Sequence, residues 1–198
     1  MRGIVAAALG FKYWGCDLRT EQIEANILQA NEICEEVKPE WVCGDSRETL
    51  AVAPNADFIF SCPPYGNLEV YSDDERDLST LDYPEFIGAY RHIIGQACGR
   101  LKWDRFASFI VGDFRDKRGL YQNFVSETIA AFEAAGLRLY NEAILVTSAG
   151  SLPLRVGKQF TSGRKLGKSH QNCLTFVKGD WKKAAAACGE ISKNYGLF

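Results

Sequence analysis

The stretch Phe58-Ile59-Phe60-Ser61-Cys62-Pro63-Pro64-Tyr65-Gly66 decides how the rest of the chain is read. A short apolar and aromatic run has the pattern of a sheet-core strand, and it ends on two consecutive prolines. Those prolines remove two backbone donors and hold the chain extended. The carbonyls before and within them are therefore displayed rigidly at the carboxyl edge of the strand, which is where open α/β sheets bind ligands. Tyr65 follows at once and offers a flat face on which a planar ring can stack. Together these features suit a holder for a planar amine: carbonyls accept from the NH2 group while the ring fixes its plane.

Outward from this stretch, short apolar runs alternate with longer amphipathic ones. Residues 2–9 predict a short helix stopped at Gly10, and 13–18 a strand. Thr20 is the expected N-cap of a helix reaching about Val37, with Ile23, Ile27, Ala30, Ile33 and Val37 at helical spacing. Residues 41–43 and 57–60 predict strands covered on two faces, since neither alternates strictly. A helix over 84–101, a strand over 107–111, a helix over 123–135 ended by Gly136 and a strand over 140–147 follow. A Gly-, Ser- and basic-rich loop then leads to a last strand over 173–177 and a terminal helix over 182–188. The alternation points to an open, mostly parallel α/β sheet with helices on both faces, in a single domain over 1–198.

Composition excludes several classes. The chain has 198 residues, 23 Lys+Arg against 25 Asp+Glu, and 46% hydrophobic residues, enough for a real core and without disordered bias. A net charge of −2 makes any nucleic-acid contact a matter of a local patch. Seven cysteines, an odd number with no C-x-x-C, suggest reduced thiols of a cytoplasmic protein rather than a disulfide framework or a zinc site. No apolar run approaches a membrane span.

Two strands end in acids. Asp17 closes the Trp14–Cys16 run, beside Leu18 and just before a helix, where a carboxylate can accept both hydrogen bonds of a ribose diol. Asp45 and Ser46, after Gly44, close the next strand and can read an adenine amine. The bland alternative is that each acid only starts the helix or turn that follows. Between residues 150 and 172, Arg155, Lys158, Arg164, Lys165, Lys168 and His170 occur with no Asp or Glu, a composition suited to phosphate contacts or simply to a solvated loop. Conversely, Glu69, Asp73, Asp74, Glu75, Asp77 and Asp82 read as a mobile lid or solvated acidic loop without a metal role. His92 reads as a surface or satisfied core residue.

With Cys62-Pro63-Pro64-Tyr65 after an apolar strand and two acid-ended strands before it, the chain resembles the amino-methylating DNA methyltransferases, whose hallmark is [D/N/S]-P-P-[Y/F]. Ser61–Gly66, with Leu68-Glu69-Val70-Tyr71-Ser72-Asp73-Asp74 after it, is similar to a phage-type DNA modification methylase subgroup. The resemblance runs from residue 2 to about 179. It implies a Rossmann-like class I methyltransferase sheet with helices on both faces and S-adenosylmethionine as cofactor. Asp17, Leu18, Asp45 and Ser46 would hold that cofactor. A flipped adenine (N6) or cytosine (N4) in DNA would be held by Ser61, Cys62, Pro63, Pro64 and Tyr65. It also implies a bacterial or phage-infected cytoplasm and DNA contacts from the basic loop, with His170-Gln171-Asn172 facing the flipped base. Cys62 departs from the usual acceptor, because a thiol accepts weakly. Tyr65 and the carbonyls flanking Pro63 would then do more of the positioning, and the choice between adenine and cytosine stays open. A nucleophilic Cys62 is the sharper alternative, but in the ring-carbon methyltransferases the cysteine follows the proline.

The family's first cofactor motif, a strand ending in a turn of the D-P-F-x-G-G-S type, has no counterpart here, and Met1 stands one residue ahead of the helix that would follow it. The expected fold therefore lacks its first strand. Three explanations are open: an upstream in-frame segment encodes it, a complementing chain or second copy supplies it, or the chain is a catalytically inactive remnant that binds DNA or a partner. RNA and protein-glutamine amino-methyltransferases share a P-P-Y loop and are a neighbouring option.

Overall fold

The computed structural model describes residues 1–66, 68–147 and 152–190, with the side chains of all but 152–155. In chain order the elements are α1 (Arg2–Ala8), β1 (Trp14–Asp17), α2 (Thr20–Ile33), β2 (Glu40–Cys43), α3 (Ser46–Thr49), β3 (Ala56–Ser61), α4 (Tyr83–Arg100), β4 (Leu101–Val111), α5 (Phe124–Ala134), β5 (Arg138–Val146), α6 (Leu152–Gly163), β6 (His170–Lys178) and α7 (Trp181–Ala187). Single 3-10 turns lie at Leu50–Val52 and Leu78–Thr80. The chain divides into two compact units, residues 1–57 with 64–102, and 58–63 with the described residues from 103 onward.

In the first unit β1 and β2 pair in parallel, from Trp14 opposite Glu40 to Asp17 opposite Cys43. Ile4 and Ala7 of α1 pack with Ala30 and Cys34 at the end of α2, and Val37 and Trp41 close the cluster. The longest helix, α4, starts on an Asp82 side chain that accepts from the Glu85 N–H, with Pro84 in the first turn, where a missing donor costs nothing. Phe86, Tyr90, Ile94 and Cys98 recur every fourth residue on its buried stripe, with Phe86 and Tyr90 stacked at 5.7 Å. At its end Arg100 donates to the carbonyls of Leu50 and Ala51.

In the second unit the strands run in the order β3-β4-β6-β5. Strand β6 is antiparallel to both β4 and β5, with Leu174 opposite Phe109 and Cys173 opposite Ala143. Its core is aromatic. Phe132 of α5 stacks on Phe176 at 4.0 Å and meets Phe109 edge-on at 4.9 Å. The Ser108 and Thr175 hydroxyls, facing each other across the ladder, pair at 2.8 Å.

Four sequence-level expectations need correction. Helix α2 ends at Ile33, not Val37. Glu35 and Glu36 would oppose the helix dipole there, and Pro39 bars helical geometry at Lys38. The N-cap of α2 is Arg19, and Thr20 is the first helical residue. The sheet is mixed rather than mostly parallel, because strand–helix–strand alternation looks the same whether the last strand returns parallel or antiparallel. The basic loop is in large part α6, which Pro153 can begin and whose Leu152, Val156 and Phe160 follow an i, i+4 pattern that the Gly and Ser content obscured.

Replacing Phe132 by Ala removes the centre of the second unit's ring stack. The expected cost is roughly 3–5 kcal/mol, read as a lowered midpoint in urea unfolding.

Candidate functional site

Because β1 and β2 are parallel, their carboxyl ends are neighbours, and the turns leaving them are tied together. The Gly44 N–H donates to the Asp17 carbonyl at 2.9 Å. The Cys43 thiol donates to the Leu18 carbonyl at 3.7 Å and lies 3.3 Å from the Thr20 hydroxyl. The Ser46 hydroxyl and the Cys16 thiol are 3.3 Å apart. Gly44 has φ +151°, and a Cβ there would lie 2.9 Å from Thr49, so the turn that carries Asp45 has no room for a side chain at its first position. Four sequence-predicted residues, Asp17, Leu18, Asp45 and Ser46, thus come together on one edge of the first unit.

The two acids differ in what they already hold. Asp17 Oδ1 accepts from the Arg19 N–H at 3.0 Å, and Asp17 is half-buried. Asp45 is buried and caps α3: Oδ1 accepts from the Arg47 N–H at 2.8 Å, and Oδ2 from Arg47 Nε at 2.8 Å and Nη2 at 2.5 Å. Burial pushes the Asp45 carboxyl up, but the hydrogen bonds and charge of Arg47 outweigh it and hold the group below the ordinary carboxylate range. Arg47 also donates to the Arg76 carbonyl and accepts at its own carbonyl from Gln96 of α4 at 2.8 Å. The sequence reading missed Arg47. Its signal was the Asp-x-Arg spacing at a helix start.

The acidic stretch after Tyr65 is neither uniformly solvated nor free of structure. Asp77 is buried, takes the Ser79 N–H and hydroxyl at 2.8 and 2.7 Å, and accepts from the Ser72 hydroxyl at 2.8 Å. The Arg76 guanidinium on Asp74 lowers that carboxyl to about 2.

Ser61 is the last residue of β3, and Cys62, Pro63, Pro64 and Tyr65 follow without regular structure, each half-buried. Gly66 turns the chain at φ +56°. The expectation that β3 is covered on two faces fails: Phe58 and Phe60, stacked at 6.5 Å, are 53% and 43% exposed. His92 is an exposed α4 residue 2.6 Å from Gln96, in line with its surface reading.

Of the basic residues, Lys158 lies exposed on α6, Arg164 follows that helix with its guanidinium 5.3 Å from the Phe160 ring, and Lys168 donates to the Asp113 carbonyl at 3.4 Å. Lys165 is half-buried, and His170 opens β6 opposite Val146. The Arg155 side chain lies outside the described residues. Asn172 donates to Glu142 Oε1 at 2.6 Å, so its amide is committed to the neighbouring strand.

No protein-family profile and no curated sequence matches the chain. Solved structures do. A Methanosarcina mazei SAM-dependent methyltransferase superposes with a TM-score of 0.57 at 11% identity, over 89% of this chain and 86% of the other. The fold is that of the Rossmann-like class I methyltransferases. A TehB-like SAM-dependent methyltransferase from Corynebacterium glutamicum matches at TM-score 0.52 and 18% identity, over 89% of this chain and 73% of that one. A Thermus thermophilus protein assigned provisionally as a DNA modification methylase matches at TM-score 0.52 and 18% identity, over 69% of this chain and 52% of that one. The chain thus spans about half the length of that protein.

Asp45 carries a pH signature. Its folded carboxyl lies below the ordinary 3.8, so the stabilisation it gives is complete above that value and drains away as pH falls through the folded one. Asp45→Asn is expected to lower stability at neutral pH by on the order of 1–3 kcal/mol. The difference from the unsubstituted protein should shrink below about pH 4, as thermal unfolding across a pH series would show.

Proposed function

We propose that this chain is a methyltransferase domain that moves the methyl group of S-adenosylmethionine to an exocyclic amine, adenine N6 or cytosine N4, in DNA. The observation that carries the reading is Cys62-Pro63-Pro64-Tyr65 at the carboxyl end of β3 in a chain with a class I methyltransferase fold. The SAM-dependent enzymes of the same fold support the cofactor, and the provisional DNA modification methylase supports the polymer.

The residues at the β1–β2 edge fit such a cofactor. Asp17 has a single hydrogen bond, at Oδ1, among the described residues, which leaves acceptor sites on both oxygens for a ribose diol. A carboxylate has about four acceptor sites; Arg47 fills three on Asp45, leaving one for a purine amine beside the Ser46 hydroxyl. Leu18 supplies apolar contact. The cofactor would bring an electrophilic sulfonium methyl.

The chain's part in the reaction is then positional. Pro63 and Pro64 have no N–H and present backbone acceptors only, and the carbonyls of the Ser61–Pro64 segment would draw the amine protons and loosen the lone pair from the ring. Tyr65 would stack on the extruded base and hold its plane, and in-line orientation supplies much of the rate. Cys62 takes no nucleophilic role in this scheme. The basic residues Arg155, Lys158, Arg164, Lys165, Lys168 and His170 would meet phosphates.

Labelled methyl transfer to unmethylated DNA by the full chain tests the reading. Tyr65→Ala is expected to lower the rate about 100-fold, and an unchanged rate would sink the role of the P-P-Y segment. Titration calorimetry with S-adenosylmethionine reads the cofactor edge separately. Asp17→Ala should weaken binding by about tenfold or more, as expected for hydrogen bonds to a charged group.

A further inference from the structure

A second cluster of cations lies outside the basic run at 150–172. The β4–α5 connection carries Arg115, Lys117 and Arg118 and closes as a tight hairpin, with Arg115 bridging Tyr121. The Asp116 N–H donates to the Leu120 carbonyl at 2.8 Å and the Gly119 N–H to the Asp116 carbonyl at 2.9 Å. The Asp116 carboxylate takes the Leu120 N–H at 2.8 Å and Arg118 Nε at 3.0 Å, so the acid is spent on the turn itself. Gly119, at φ +89°, completes the turn. Arg115 donates to the Gly119 carbonyl at 2.8 Å and lies 4.0 Å over the Tyr121 ring, which stays 44% exposed. Both side chains at the tip, Lys117 and Arg118, are exposed, the latter by 80%.

This hairpin meets the 164–168 segment. Lys168 donates to the Asp113 carbonyl at 3.4 Å, and Lys165 Nζ lies against Gly119, where it would clash with a Cβ. The Asp113 carboxylate is committed to the Val125 N–H at 2.9 Å. Among the described residues Arg115, Lys117, Lys165 and Lys168 have no carboxylate partner. With Arg118 and Arg164 that makes six cations around two carboxylates that are already engaged. Such a concentration of like charge in a chain of net charge −2 raises the local potential, and a polyanion relieves it. A cation-backed aromatic ring beside it suits a base or sugar face rather than a lipid headgroup.

We propose that the 113–122 hairpin and the 164–168 segment form one phosphate-binding surface for a nucleic-acid backbone, with the Arg115–Tyr121 pair as a stacking support. The proposal deepens the action on DNA and rests on that reading for the kind of polymer. Fluorescence anisotropy of the full chain with a labelled DNA duplex, and with the same sequence as single-stranded DNA and as RNA, between about 50 and 200 mM salt, tests it. The double variant Lys117→Gln/Arg118→Gln should make the slope of log affinity against log salt on the duplex shallower by about 1.8, two phosphate contacts at ~0.9 each. Lys182→Gln/Lys183→Gln in α7 should leave it unchanged.

If Arg155→Gln/Lys158→Gln reduces the slope and the hairpin variant does not, the surface is overturned while the DNA contact stands. Hairpin-dependent binding without methyl transfer to DNA supports the surface and overturns the proposed activity. Hairpin-dependent binding to phosphatidylserine vesicles, with none to any of the three strands, overturns the nucleic-acid assignment. Absence of binding to any strand or vesicle overturns it too.

Discussion

The grip of Arg47 on Asp45 is the constraint around which the first unit is organised. One buried carboxylate satisfies the N–H at the start of α3 and the arginine two residues on. That arginine in turn reaches the carbonyl of Arg76 and, through its own backbone, Gln96 of α4. The turn after β2, the acidic stretch and the long helix therefore share one electrostatic node. Burying the acid alone would be costly, and the paired guanidinium makes its charged form the stable one. The same node fixes Ser46 beside Cys16 and leaves the β1–β2 edge with a defined set of acceptors.

The second unit depends on aromatic packing instead. Phe132 lies between Phe109 and Phe176, and the ladder hydroxyls of Ser108 and Thr175 satisfy each other. From this base the β4–α5 hairpin and the segment after α6 project cations: Arg115, Arg164 and Lys168 rest on backbone carbonyls or rings, and Arg118 holds the Asp116 carboxylate. The charge of the chain is thus arranged by sign. In the stretch after Tyr65, Asp77 and Asp82 are spent on caps and Asp74 on Arg76, whereas the 113–122 and 164–168 segments are predominantly basic.

Much of the fold was legible because its signals are local. Gly10 and Gly136 do take the left-handed conformations that end α1 and α5, and Asp17 and Ser61 close strands as the apolar runs before them suggest. What was misread depends on partners distant in sequence. The pattern of β6 is the same whichever way it runs, and only its pairing with both β4 and β5 reveals an antiparallel insertion. Helix α6 was hidden because Gly and Ser content outweighed a sparse i, i+4 stripe. Arg115, Lys117 and Arg118 went unnoticed because Asp113 and Asp116 between them dilute the run, and only the hairpin shows those acids turned to its own backbone.

The sequence by itself determined the α/β class, the carboxyl-edge position of Asp17, Asp45 and Ser61, and the acceptor-only character of the Pro63-Pro64 segment. These follow from backbone chemistry within a few residues. Only the tertiary structure decided which acceptors stay open, because that depends on Arg47 reaching Asp45 and on Arg19 taking one oxygen of Asp17. It also decided that the lysines after α6 lie against the β4–α5 hairpin, because contact between residues 55 apart in sequence is written in no local pattern.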